Sequence, residues 1–181
     1  MTPDPERTLP KSLMLLRHAK SSWADATLED HDRPLQDKGR RRAAGLAAWL
    51  DERGLGCDLV LCSTALRTRQ TLDMVLPALG GPVVRYEPSI YDAEAATLLG
   101  LVQHVEDRFE RVLIVGHDPG LPSLATLLAM TATGDALERL RRKYPTCALA
   151  LLTFGDAGWR SVQPRVGHLA LFHVTGDEAV A

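Results

Sequence analysis

Cysteine is scarce in this 181-residue chain, with three in all, and their arrangement excludes the two structural uses that small proteins make of thiols. Cys57, Cys62 and Cys147 are odd in number, widely spaced and set among apolar residues, with no close ligand pairing. They read as reduced core residues of a cytoplasmic protein, neither a disulfide framework nor zinc ligands. Net charge is also lacking: the formal value of −2 at pH 7 gives no general attraction to nucleic acid or to an anionic membrane. Any anion-binding site must therefore be a local cluster of positive side chains. The first ten residues, with Pro3, Pro5 and Pro10 among Asp4, Glu6 and Arg7, lack the long apolar run of a signal peptide or membrane span. Residues 1–11 are expected to form a flexible N-terminal extension and residues 12–181 a single domain. A chain of 181 residues, 45% hydrophobic, can bury one sizeable core but is short for two. No internal repeat, low-complexity block or linker divides it.

What is present is a series of short apolar runs separated by amphipathic stretches. Ser12 to Leu16 is apolar on consecutive positions, as a strand covered on both faces requires, and it ends abruptly in Arg17-His18. A polar loop follows from Lys20 to Leu35. Leu46, Trp49 and Leu50 then fall at helical spacing between Asp37 and Arg53, and Gly54 and Gly56 stop the helix. Its run Arg40-Arg41-Arg42 is taken as a solvated face. Cys57 to Cys62 predicts a second buried strand, with Ser63-Thr64 as N-cap residues of a helix carrying Leu72, Val75, Leu76 and Leu79. Arg67 falls in its first turn, where the helix dipole disfavours a cation unless an anion joins it. A strand over Val83–Tyr86 leads through the loop Glu87 to Asp92 into a helix with Leu98, Leu101, Val102 and Val105 on one face. Val112 to Val115 is the cleanest buried strand. It ends in Gly116-His117-Asp118-Pro119-Gly120, with Pro119 suited to the first turn of the next helix. Beyond Met130 a polar helical piece, Asp135 to Lys143, precedes a strand from Cys147 to Phe154, the turn Gly155 to Gly158, and a returning strand over Trp159–Val162.

Alternation of this kind predicts an α/β fold: a single-domain three-layer sandwich whose mostly parallel central sheet of about six strands carries helices on both faces. In open sheets of this class, ligands sit beyond the carboxyl ends of the strands. Three strands deliver Arg17-His18, then Ser63 to Arg67, then His117 to that edge. Two arginines and two histidines offer fork-shaped donors and imidazole nitrogens without a carboxylate-rich metal cage, so the natural guest is a phosphoryl group. A neutral imidazole held by its other nitrogen is a competent nucleophile toward phosphorus.

These motifs resemble those of the histidine phosphatase superfamily, which includes the phosphoglycerate mutases. Leu15-Leu16-Arg17-His18-Ala19-Lys20-Ser21 resembles its Arg-His-Gly signature, and Arg33-Pro34-Leu35 with Gly39 and Ala43 its Pro-Leu-x-x-x-Gly element. Cys62-Ser63-Thr64-Ala65-Leu66-Arg67-Thr68-Arg69-Gln70-Thr71 is similar to its Ser-x-x-x-Arg-x-x-Gln-Thr element, and Val115 to Gly120 to its second histidine motif. The small size is closest to the compact SixA-like phosphohistidine phosphatases. The resemblance implies that residues 12–181 form a histidine phosphatase domain in which His18 attacks phosphorus, while Arg17, Arg67 and His117 hold the phosphoryl oxygens and Ser21 contacts phosphate. Asp92 matches the position of the proton donor best, with Glu87 as its alternative. No metal or organic cofactor is implied. The expected partner is a phosphorylated protein or a small phosphorylated metabolite, with no nucleic acid and no membrane. Alternatives are a non-catalytic phospholigand-binding protein and a phosphoglycerate mutase-like phosphotransferase.

Two positions depart from the pattern: Ala19 replaces the usual glycine, and Gln36 stands where Thr or Ser is common. His31, with Asp30 and Asp32, lies in the loop after the nucleophile and is a candidate to line the mouth of the site, less favoured than Ser21 as a contact. His104 is expected to be solvated on a helix, and His168 and His173 structural.

Overall fold

Consecutive apolar residues in the short runs serve two cores at once, because successive side chains of a strand point to opposite faces. In β1 (Ser12–Arg17), Leu13 and Leu15 enter one core, and Met14 and Leu16 the other. The same division holds in β2 (Leu59–Cys62) and β4 (Arg111–Gly116), so these three strands are covered on both faces. Burying a side chain such as Leu13 is worth about 2 kcal/mol, which makes the central strands the stable frame of the molecule. In this computed structural model residues 10–176 are described. Most of the expected extension, residues 1–9, lies outside them. Lys11 is buried, and its ammonium donates to the carbonyl oxygens of Asp107 and Phe109.

The described residues form an α/β fold with five α-helices and one mixed, mostly parallel sheet of seven strands, ordered β3-β2-β4-β1-β6-β7-β5. The remaining strands are β3 (Val83–Tyr86), β5 (Ala129–Ala132), β6 (Ala148–Thr153) and β7 (Gly167–Val174). β1, β2, β3 and β4 run parallel, whereas β6 is antiparallel to both β1 and β7. Helices α1 (Asp37–Glu52) and α2 (Leu66–Val75) share one core. Helices α3 (Ala95–Gln103), α4 (Gly120–Leu128) and α5 (Ala136–Arg142) share the other. From β1 the chain crosses to β2 on the far side of β4, and from β4 it crosses to β5 at the opposite edge. The connections thus part company between β1 and β4, and a crevice opens at their carboxyl ends.

Several sequence expectations are corrected. The strand returning after β6 is not Trp159–Val162: Trp159–Ser161 is a single 3-10 turn and the antiparallel partner is β7, while the unexpected β5 raises the strand count from about six to seven. Trp159 is fully buried, its indole donating to the Phe109 carbonyl, so it anchors a turn. β2 begins at Leu59, since the Cys57 amide bonds the Leu79 carbonyl outside the sheet. Ser63 and Thr64 do not cap α2. Ala65 occupies the N-cap without a side-chain bond, and the two hydroxyls turn to histidines of the crevice. Pro119 precedes α4 at its N-cap and does not lie in its first turn, Val105 lies beyond the end of α3, and the loop after β1 contains a 3-10 turn at Asp30–Asp32.

Candidate active site

The sheet register brings the reactive residues together before any side-chain contact is considered. Arg17 pairs with Gly116 across β1 and β4, and Cys62 pairs with Val115 across β2 and β4. The ladder continues one residue further, as the His18 amide donates to the Gly116 carbonyl and the Ser63 amide to the Val115 carbonyl, both at 3.0 Å. His18, Ser63 and His117 therefore leave the sheet side by side. Arg67 reaches them from the first turn of α2, as expected.

Helix α2 also holds the loop that follows His18. The Thr71 hydroxyl accepts the Ala19 amide at 2.9 Å, and the Gln70 side-chain oxygen accepts the Leu35 amide at 2.8 Å. The Gln-Thr pair of the second motif is thus a clamp on the first and on the Pro-Leu segment. Gly39 completes it: a Cβ there would overlap the Lys20 backbone, because α1 approaches the loop directly. Ala19 is buried, and its φ is not among the positive values, so the side chain in place of glycine brings no left-handed strain. Gln36 occupies the N-cap of α1 without a side-chain cap, while its amide bonds the Lys20 carbonyl.

The hydrogen bonds determine the protonation of both imidazoles. A guanidinium can only donate, so the Arg67 Nε contact to His18 Nε2 at 3.3 Å makes that nitrogen an acceptor. The His18 proton therefore lies on Nδ1, donated to the Ala19 carbonyl at 2.7 Å. By the same reasoning Arg67 donates to His117 Nδ1 at 3.4 Å, and His117 Nε2 donates to the Ser63 hydroxyl at 2.8 Å. The ring centroids lie 5.3 Å apart. Burial first, then the nearby guanidinium charges, pushes His18 down to about 4 against the stabilising bond to Ala19. Burial and the positive charge accumulating at His18 and Arg67 push His117 down to about 3.

This has a measurable consequence for stability. Between about pH 6.5 and 4 the unfolded chain binds a proton at residue 18 that the folded protein refuses, so stability falls on acidification through that window. The gap corresponds to about 3 kcal/mol from His18, complete near pH 4. Urea midpoints measured between pH 7 and pH 4.5 are expected to fall, and less steeply in His18→Gln. Identical profiles for the two proteins would contradict the assignment of a buried neutral imidazole.

Beside His18 lies a cavity of about 270 Å³, lined by Arg17, His18, Lys20, Ser21, Trp23, Arg33, Arg67 and Thr146, with His117 behind this lining. Four of these are cations. Arg17 donates to the Tyr144 carbonyl at 2.6 Å and lies 3.8 Å from Asp118, while its buried Nε has no hydrogen-bond partner among the described residues. Ser21 accepts from Arg33 at 2.7 Å.

Sequence reasoning passed over Arg33 and Tyr91 and left Asp30 without a role. Asp30 accepts from Arg33 at 2.6 Å, from Arg67 at 2.9 Å and from the Tyr91 hydroxyl at 2.8 Å. Burial acts to raise its pKa, but the bonds from Tyr91 and Arg33 and the charge of Arg67 prevail and hold the carboxyl at about 2. Arg33 also lies 3.1 Å from the ring centroid of the exposed Trp23. Only Arg33 carried a signal, as the residue before Pro34-Leu35.

Asp92 is not brought into the cluster. It is exposed at φ 52° and outside the cavity lining, while the preceding Tyr91 reaches Asp30. Glu87 is half-buried and also outside that lining. His31 bonds the Thr64 hydroxyl at 3.0 Å and meets the Tyr91 ring edge-on, forming part of the wall beside Asp30. His104 ends α3 in solvent, His173 stacks on Trp49, and His168 contacts Thr131 and Thr133.

A strand-end histidine clasped by arginines at the switch point of a mostly parallel sheet defines an α/β protein with an anion-attracting crevice, and the family comparison gives its class: the chain belongs to the histidine phosphatase superfamily, branch 1, whose model matches residues 13–111. It is 38% identical over 161 residues to an uncharacterised protein of Mycobacterium tuberculosis, covering 88% of this chain and 99% of the relative. Two solved structures are also similar, both provisionally named phosphohistidine phosphatase SixA. The protein from Nakamurella multipartitia has a TM-score of 0.77 at 31% identity, covering 92% of this chain and 97% of the other. That from Agrobacterium tumefaciens has a TM-score of 0.76 at 30% identity, with 92% and 99% covered. Among the described residues, no helix is long and apolar enough to cross a membrane.

Proposed function

We propose that this chain is a metal-independent phosphatase that acts through a phosphohistidine formed on His18, and that its substrate carries phosphate on a protein histidine. The observation that carries this reading is the orientation of His18. Its Nδ1–H is tied to the Ala19 carbonyl, which leaves the lone pair on Nε2, held by Arg67 Nε at 3.3 Å at the wall of a cavity lined by four cations and released when that guanidinium turns to a phosphoryl oxygen.

Nε2 attacks phosphorus, and the bond from phosphorus to the leaving group breaks, its electron pair departing with that group. Arg17 and Arg67 balance the charge on the phosphoryl oxygens. The buried Arg17 Nε supplies a donor that has no partner among the described residues. His117 offers its Nε2–H once it turns from Ser63, and Ser21 a hydroxyl held by Arg33. Water then attacks the phosphohistidine, releases inorganic phosphate and returns the electron pair to Nε2. The concentration of guanidinium charge favours an anion and repels a divalent metal ion.

The leaving group decides between phosphohistidine and phosphoester substrates. An alkoxide needs a proton as it departs, yet Asp30, the carboxyl that reaches Arg67, stays ionised at neutral pH. Asp92 would have to turn inward to serve. An imidazole leaves more readily and takes its proton from water, so the site as built suits a P–N bond. The SixA names of two structural relatives support the same choice.

The test is phosphate release by the purified protein from a histidine-phosphorylated protein and from an aryl phosphate, with and without EDTA. EDTA-insensitive turnover with preference for the phosphohistidine substrate is expected. Loss of activity in EDTA sinks the metal-free mechanism. Tight vanadate binding without turnover of either substrate favours a non-catalytic phospholigand-binding protein instead.

A further inference from the structure

Beside the His18 cavity lies a second, larger depression that the chemistry above does not use. It is a groove of about 350 Å³ between α1 and α5, lined by Arg42, Arg139, Arg142 and Lys143 over Pro145, Phe172 and Val174. A further hollow of about 440 Å³ shares Arg42, Thr175 and Gly176 with it and adds Lys38 and Arg41. Six cations thus border one continuous surface in a protein whose formal net charge is −2. The acids on the same two helices close to these cations are Asp37, in the first turn of α1, and Glu138, which pairs with Arg142 at 2.8 Å.

Helix stability accounts for only part of this charge. Arg142 and Lys143 lie at the carboxyl end of α5, where the helix dipole favours cations, but Lys38, Arg41 and Arg42 lie near the amino end of α1, where it does not. The sequence expectation that the Arg40 to Arg42 run is simply a solvated face holds for Arg40 and Arg41, which are exposed. Arg42 is half-buried and belongs to the groove wall.

The groove and the His18 cavity share one wall. Lys143 and Pro145 line the groove, and Thr146 lines the cavity. Between them Tyr144 is buried, giving its carbonyl to Arg17 and its hydroxyl to the Leu15 carbonyl. A phosphorylated side chain seated at His18 therefore brings its flanking surface over the segment Lys143–Thr146 and onto the cations.

From this we infer that the substrate is a phosphoprotein with an acidic surface beside its phosphorylated residue, held by the groove between α1 and α5. The inference rests on the phosphatase reading of His18 and names the kind of substrate. Carboxylates suit the groove because arginines and lysines spread along two helices, with Arg42 and Arg139 half-buried and Lys38, Arg41, Arg142 and Lys143 exposed, meet a surface and not a point. A single-stranded nucleic acid would use an exposed aromatic platform for its bases, whereas the aromatic residue in the groove, Phe172, is 4% exposed. A small phosphoester is consumed by the His18 cavity alone and leaves the groove unused.

Two phosphohistidine peptides of equal length test this, one flanked by Asp and Glu and the other by Asn and Gln, with an aryl phosphate as third substrate. The full-length protein at low salt is expected to favour the acidic peptide by about tenfold in kcat/KM, and salt should erode that preference. In Arg42→Glu/Arg142→Glu, with folding verified by thermal denaturation, the ratio of acidic to neutral peptide should fall to one or below. If neither peptide nor aryl phosphate is turned over by the unmodified protein, the phosphatase reading itself fails. Turnover of both peptides at a ratio near one, or a ratio that the variant retains, overturns the groove assignment alone. A ratio that rises in the variant also overturns it, in favour of occupation by the chain's own Asp177 and Glu178, which follow Gly176 in sequence.

Discussion

His18→Ala is expected to lower kcat by about 10⁴-fold or more on every substrate, because it removes the atom that forms the covalent intermediate. The neighbouring imidazole cannot substitute. His117 does not line the cavity, and its Nε2 carries the proton that it donates to Ser63. The backbone consequence of the change is small, since His18 is held through its own amide to Gly116 and the Ala19 amide still bonds Thr71. Loss of turnover with retained thermal stability at pH 7 is therefore the expected pair of results. Rapid quenching at alkaline pH should trap an acid-labile, base-stable phosphoryl group on the unmodified protein and none on the variant. A variant that still forms it, or retains substantial activity, removes His18 from the mechanism.

Arg67→Ala should cost about 10²–10³-fold in kcat/KM, the scale associated with removing one preorganised donor from a developing anion. Arg67 is the hub of the cluster. Its Nε meets His18, and its terminal nitrogens meet Asp30 and His117. Arg67→Lys should recover little of the loss, because an ammonium cannot reproduce a fork that addresses three residues. The same substitution tests the electrostatics. Without Arg67, Asp30 keeps Arg33 and Tyr91 but loses part of what holds it at about 2, so its carboxyl should titrate at a higher pH by NMR. Unchanged titration of Asp30 together with unchanged kcat/KM would detach Arg67 from both roles.

Legible in the residues alone were the layers, the parallel centre and the delivery of Arg17, His18, Arg67 and His117 to one sheet edge. Each was encoded locally: apolar runs too short and too continuous for a half-exposed strand, and polar chemistry beginning at the residue where each run stops. Local coding failed where partners are distant in sequence. Trp159 to Val162 has the composition of a strand, but Trp159 is held by Phe109, some fifty residues away, and the pairing with β6 passes to Gly167–Val174. Ser63 and Thr64 have the composition of helix caps, yet His117 and His31 claim their hydroxyls.

The choice of carboxylate was likewise tertiary. Asp92 and Asp30 both lie in loops of undistinguished composition, and nothing local ranks one above the other. Folding stacks α2 against the loop after β1, which places Asp30 between Arg33, Arg67 and the hydroxyl of Tyr91, and leaves Asp92 in solvent. The basic groove arises in the same way, from arginines about a hundred residues apart that only the packing of α1 and α5 around β7 makes neighbours. Strand and helix patterns are decided by contacts within a few residues, so the chain could announce His18 at the end of its strand. The partners that tune His18, and the basic groove beside it, come from long-range contacts that exist only once the chain is folded.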